Sequence, residues 1–153
     1  MAKNGFSMSN RVATEELEAA KTLTVEDCGK VFTLAKNDGF TVTLPDPTIA
    51  EAGWNCKFIV DTAISSNEYI ISSSATTDLM RGGVSVLNGG ADSGDVEDTA
   101  FFAPNGTDHT AIKFNGTTKG GAGGDMVELT VLSGQYHISG ILHGSGTLVT
   151  PFG

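Results

Sequence analysis

Three histidines, two cysteines and one cluster of carboxylates are the groups with the chemistry to act on a ligand. A serine or cysteine nucleophile needs a base within hydrogen-bond reach. His109, His137 and His143 are the candidate bases, and His143-Gly144-Ser145-Gly146 places one of them near a hydroxyl. The Gly-x-Ser-x-Gly elbow is not met there, and no strand-turn-helix pattern surrounds it. A small hydrolase would therefore have to depend on a single histidine. His137 alternates with Tyr136 and Ile138, which predicts a ring facing solvent or a subunit contact.

Asp92, Asp95, Glu97 and Asp98 form the acidic cluster. Calcium takes several oxygen ligands from such loops, but the spacing matches no twelve-residue calcium loop, so a solvated loop and no metal are expected. Cys28 and Cys56 cannot supply four zinc ligands and are expected to be two buried thiols. Residues 119–124 are glycine-rich, but no lysine-serine pair and no helix follow, so a phosphate loop is unsupported. Asp27 and Lys30 could line a ligand loop, yet nothing else converges on it. No cofactor is implied. Trp54, Tyr69 and Tyr136 could stack on sugars, and most of the eight phenylalanines fall in expected strands and read as core.

The chain has 153 residues, which suits one domain, and carries 18 Asp plus Glu against 9 Lys plus Arg, a net charge of −9. That balance repels phosphate, so sequence-independent nucleic-acid binding is disfavoured. No apolar run approaches the roughly 18 residues of a membrane span, so no membrane partner is expected. The N-terminus lacks the apolar core of a signal peptide. Threonine, serine, asparagine and glycine dominate the polar residues, as suits a β surface.

The elements that would position these groups are short strands. Val31-Phe32-Thr33-Leu34 and Phe40-Thr41-Val42-Thr43-Leu44 flank Asn37-Asp38-Gly39, which predicts a hairpin. Pro45 and Pro47 stop the second strand. Further strands are expected at residues 54–60, 69–72, 82–87, 99–103, 110–114, 126–132 and 135–139, the last two joined by Ser133-Gly134. Thr24 followed by Asp27 and Gly29 predicts one helical turn. Residues 1–22 read as an N-terminal arm with a short helix over 14–21, and residues 23–153 as the β domain with a Gly/Thr-rich tail from His143. The expected fold is all-β: a single antiparallel β-sandwich, jelly-roll-like, or a partly open barrel. No fixed-period repeat is visible, which argues against a β-helix.

Leu23-Thr24-Val25-Glu26-Asp27-Cys28-Gly29-Lys30-Val31-Phe32, followed by Phe40-Thr41-Val42-Thr43-Leu44-Pro45, resembles a theme of tailed-phage virion proteins. The run Gln135 to Gly140, with Gly144-Ser145-Gly146-Thr147 and a Pro151-Phe152 ending, is similar to small phage capsid decoration proteins. The resemblance implies a structural, non-enzymatic virion protein on the capsid exterior, assembled in the host cytoplasm. Its partners would be the major capsid protein and its own copies, as a homotrimer. The arm holds isolated apolar and basic residues, so Phe6, Met8, Arg11, Val12 and Leu17 are the expected capsid or subunit contacts. The alternative is a glycan- or receptor-binding module of a phage fibre or tail.

Overall fold

The computed structural model describes residues 12–77, 79–88 and 98–153, with only the backbone of Asp98. The chain is all-β, built from two mixed sheets around one hydrophobic core. The strands are β1 (Thr14–Leu17), β2 (Lys21–Thr22), β3 (Val31–Leu34), β4 (Thr41–Thr43), β5 (Asn55–Val60), β6 (Tyr69–Ser72), β7 (Met80–Asn88), β8 (Asp98–Phe102), β9 (Ala111–Phe114), β10 (Met126–Leu132) and β11 (Gln135–His143). One short helix, α1 (Pro47–Ala50), and a 3-10 turn (Val25–Asp27) interrupt them. Sheet A runs β1-β3-β5-β10-β11-β7-β8 and sheet B runs β2-β4-β6-β9.

From β1 to β6 the chain alternates between the sheets, and within each sheet the successive strands pair in parallel. This part is a coil of three rungs. Leu17, Leu34 and Val60 lie in one row, and Glu15, Phe32 and Phe58 in the next. The Phe32 and Phe58 rings stack at 5.3 Å. In sheet B, Lys21, Val42 and Ile71 form the matching row. The remaining strands close the coil: β10 joins β5 antiparallel, β11 folds back on β10, and β7 pairs parallel to β11.

Four expectations need correction. The hairpin between β3 and β4 does not form, because the two strands belong to different sheets. Residues 37–39 turn a corner between sheets, not a half-circle within one. Gly39 takes φ 61°, and a Cβ there would lie 2.4 Å from Glu68 O, so only glycine fits. Asp38 accepts from Ser66 Oγ at 2.8 Å and Asn67 Nδ2 at 2.6 Å, tying the second corner to the third. The pairing is not antiparallel throughout, since β1-β3, β3-β5, β2-β4, β4-β6 and β7-β11 are parallel. The argument against a β-helix also fails: the register shifts 17 residues from Thr14 to Val31 but 26 from Val31 to Lys57. Unequal loops erase the period that stacked rungs otherwise show.

The helix over 14–21 is replaced by β1 and β2. Glu15 and Leu17 alternate with exposed Thr14 and Glu16, and parallel pairing to β3 supplies the bonds that two helical turns could not sustain alone. The boundary between residues 22 and 23 therefore falls inside a paired rung, and Leu17 is core. The tail is docked too. Pro151 and Phe152 are buried, Phe152 bridges to Ile112, and Gly153 N donates to Ala111 O at 3.1 Å.

Other local expectations match. Thr24 N donates to Asp27 Oδ2 at 2.9 Å, starting the 3-10 turn, and Gly29 at φ 77° ends it before β3. Ser133 (φ 53°) and Gly134 (φ 69°) form the two-residue turn between β10 and β11.

Candidate interaction surface

Alternation along the strands of sheet A sends one set of side chains into the core and the other to the outside. In β10, Val127, Leu129 and Val131 are buried, while Met126, Glu128 and Leu132 are exposed. Register then aligns the outward residues across strands. Met126 sits opposite Ile59 on β5 and Ile141 on β11, Ile141 opposite Ser85 on β7, and Ser85 opposite Phe101 on β8. Ile59, Met126, Ile141 and Phe101 thus form an apolar row on β5, β10, β11 and β8, broken by Ser85 on β7. Phe101 is 72% exposed and Ile141 49%. The Phe101 ring lies over Gly83, where a Cβ would come within 2.9 Å of it. A shallow groove of about 340 Å³ runs between Met126 and Ile141, bordered by Glu128, Ser139 and Gly140.

The neighbouring rows are polar. Lys57 Nζ meets Glu128 Oε1 at 2.8 Å, and Arg81 Nε donates to Gln135 Oε1 at 3.0 Å. His137 is exposed on the same face of β11. A second groove of about 320 Å³ lies beside it, with Val12, Lys30, Val31, Lys57 and Glu128 on its walls.

The first rung, the edge rung among the described residues, presents different chemistry. Glu15 occupies the row that holds Phe32 and Phe58 in the other rungs, and Lys21 the row of Val42 and Ile71. Lys21 hydrogen-bonds Glu15 and sits 5.4 Å from the Phe32 ring centroid. Lys30 Nζ reaches Asp27 Oδ1 at 2.6 Å and Glu15 Oε2 at 3.2 Å. The Lys21 hydrogen bond, joined by Lys30, holds the Glu15 carboxyl below its ordinary range. Burial works to raise Asp27, but the bonds from Lys30 and Thr24 N outweigh it and hold that carboxyl low. The same Asp27 and Glu15 bonds raise Lys30. Asp27 and Lys30 therefore lock the turn between rungs and leave no ligand loop. A charged pair pointing inward on an edge rung also discourages strand-to-strand addition there.

Among the expected contact residues, Val12 is 62% exposed beside the second groove and Leu17 is 5% exposed in the core. Phe6, Met8 and Arg11 lie outside the described residues, as do Asp92, Asp95 and Glu97. Leu17 is thus corrected from contact to core: parallel pairing stacks it on Leu34.

The sugar-stacking aromatics are core. Trp54 Nε1 donates to Val25 O at 3.1 Å, Tyr136 donates to Pro45 O, and Tyr69 is bonded to Lys36 and Thr62. Their exposures are 3%, 0% and 1%. Phe101, expected in the core, is outside instead. Cys56 is buried, and burial pushes its thiol well up, while Cys28 is exposed, against the expectation of two buried thiols.

Asp125 escaped the sequence reading. Fully buried, it accepts from Gly121 N at 2.7 Å and Ala122 N at 3.1 Å through Oδ2. Its Oδ1 accepts from His143 N at 2.8 Å and lies 2.7 Å from His143 Nδ1. Asp125 thus ties the glycine loop to the end of β11. Ser145 donates its backbone N–H to Thr117 O along the docked tail. His109 stacks on Phe152 and accepts from Asn105 N. His109 and His143 thus sit in scaffold contacts, and no serine or cysteine side chain hydrogen-bonds an imidazole among the described residues. No group of three His, Cys, Asp or Glu side chains is arranged to hold a metal among those residues. Compared with protein-family models, curated proteins and solved structures, the chain matches none.

Proposed function

We propose that this chain is a structural virion protein, a decoration or cement protein that binds the outside of a phage capsid and stabilises it without catalysing a reaction. The observation that carries the reading concerns the stretches behind the resemblance. Leu23 to Phe32 and Phe40 to Pro45 are the passage into the second rung and that rung itself: buried Leu23, the capped turn Thr24 to Asp27, the Gly29 exit, β3, the corner and β4. The residues that carry the resemblance are thus scaffold residues in this chain, which supports a structural role over a catalytic one. The two sheets enclosing one core are read as the two layers of a sandwich. An acidic, polar surface crossed by an apolar row suits repeated protein contacts.

The capsid contact is assigned to the residues before β1: Phe6, Met8, Arg11 and Val12. The chain acts as a homotrimer on the major capsid protein, and its acidity keeps it off packaged nucleic acid. The glycan-binding alternative rested on Trp54, Tyr69 and Tyr136; with all three buried it is not taken further.

Co-sedimentation with empty phage heads stripped of outer proteins tests the reading. Saturable binding is expected. Deleting residues 2–11 should weaken it at least about tenfold, or roughly 1.4 kcal/mol, with the thermal transition unchanged. No binding to heads, with saturable binding to a glycan array, would overturn it.

A further inference from the structure

The homo-oligomer proposed above needs a contact, and the outer face of sheet A has the properties of one. Three observations converge. The first is the apolar row Ile59, Met126, Ile141 and Phe101, set in register on β5, β10, β11 and β8 with Ser85 of β7 between the last two. A row of large apolar side chains left in water is what a protein contact removes.

The second is charge. The chain carries −9, so two copies repel over most of their surfaces. On the outer face of these five strands, Lys57 and Arg81 stand against Glu128 alone among the described residues. This face lets two acidic copies approach without like-charge repulsion.

The third is area. Five strands at about 4.8 Å spacing span about 24 Å, and nine residues of β11 run about 30 Å. The other four strands hold six, seven, nine and five residues, so the face offers about 600 Å² per copy and about 1,200 Å² in a pair, at the lower edge of the roughly 1,200–2,000 Å² of a stable specific contact.

We propose that the outer face of sheet A is where a second copy of this chain docks, with Phe101 and Ile141 as its apolar anchors. Phe101 suits that role, because its ring already rests on the bare backbone of Gly83 and loses little freedom on burial. Glu128 and Lys57 form the polar border that fixes orientation.

Light scattering on the full chain, with Phe101→Glu and Ile141→Glu alongside, tests the proposal. The wild-type chain is expected to be an oligomer. Each variant should weaken self-association at least about tenfold, and Phe101→Leu should restore it. A monomeric wild-type chain at about 100 µM would overturn the proposal, as would an oligomer insensitive to both variants. Should the glutamate variants fail to fold, Ser139→Cys on the same face, in a Cys28→Ser background, supplies a second reading. Its rate of thiol labelling should fall as the chain is concentrated, and a rate independent of concentration overturns the proposal. A monomer whose head binding is lost in Phe101→Glu would assign the face to the capsid, overturning the self-contact while leaving the virion reading intact. An oligomer that ignores heads would overturn the virion reading alone.

Discussion

Replacing Asp125 by asparagine should destabilise the fold markedly. The carboxylate is fully buried and each oxygen serves two contacts: Oδ2 takes Gly121 N and Ala122 N, and Oδ1 takes His143 N and the His143 ring. An asparagine has one acceptor oxygen, so its amide nitrogen faces either the two backbone donors Gly121 N and Ala122 N or the one at His143 N. If the oxygen stays toward His143, Gly121 N and Ala122 N lose their acceptor. Gly121 is buried, whereas Ala122 is partly open to water. One fully and one partly unsatisfied donor, at about 1–3 kcal/mol for a buried group, give a loss of about 2–4 kcal/mol. Alanine should cost at least as much, since it also leaves a cavity. Urea unfolding followed by tryptophan fluorescence reads the change, because Trp54 lies in the core. A midpoint shift at constant slope reports stability alone. A loss below about 0.5 kcal/mol would refute the reasoning, since it would mean the loop does not depend on that carboxylate.

Three further outcomes follow from the same geometry. Glu15 and Asp27 are held below their ordinary values in the fold, so their stabilisation is complete above the unfolded carboxylate range near pH 4 and drains away as pH falls through the lowered folded values. The melting temperature should drop on acidification below about pH 4, and less steeply in a Glu15→Gln, Asp27→Asn double variant; equal slopes would contradict this. Gly39→Ala must displace Glu68 backbone from 2.4 Å as well as strain φ, whereas Gly29→Ala at φ 77° meets open space. The first should cost more than about 2 kcal/mol and the second about 1 kcal/mol by thermal unfolding, and equal costs would count against the corner packing. A maleimide should label exposed Cys28 quickly and buried Cys56 only after unfolding, while two fast sites would place β5 wrongly.

Local chemistry was readable from the sequence, and long-range partnership was not. Thr24, Asp27 and Gly29 act on neighbours within a few residues, so their turn could be derived from spacing. Ser133-Gly134 likewise joins strands that are adjacent in the chain. Asn37-Asp38-Gly39 is different. The turn is local, but its partner is decided by Glu68, Ser66 and Asn67, about 28 residues on. Nothing in the turn itself distinguishes a hairpin from a corner. The first rung was hidden for another reason. Its core row holds Glu15 and Lys21 where the other rungs hold Phe and aliphatic residues, so apolar alternation was missing and helical propensity filled the gap. Asp125 looked like one more acid in a glycine loop, because its donors are backbone groups that carry no sequence signature. Phe101 and Phe102 form an adjacent pair, and alternation requires one of them to face outward. That signal was present, and it places the exposed anchor on β8.

The central claim is that this chain is a structural component of a phage head. Cryo-electron microscopy of empty heads incubated with the purified chain tests it most directly. The account predicts added density at symmetry-repeated positions on the outer surface, with the coil's first rung toward the lattice and sheet A faces turned to neighbouring copies. Bare heads at saturating protein, or density confined to a tail or fibre, would contradict it.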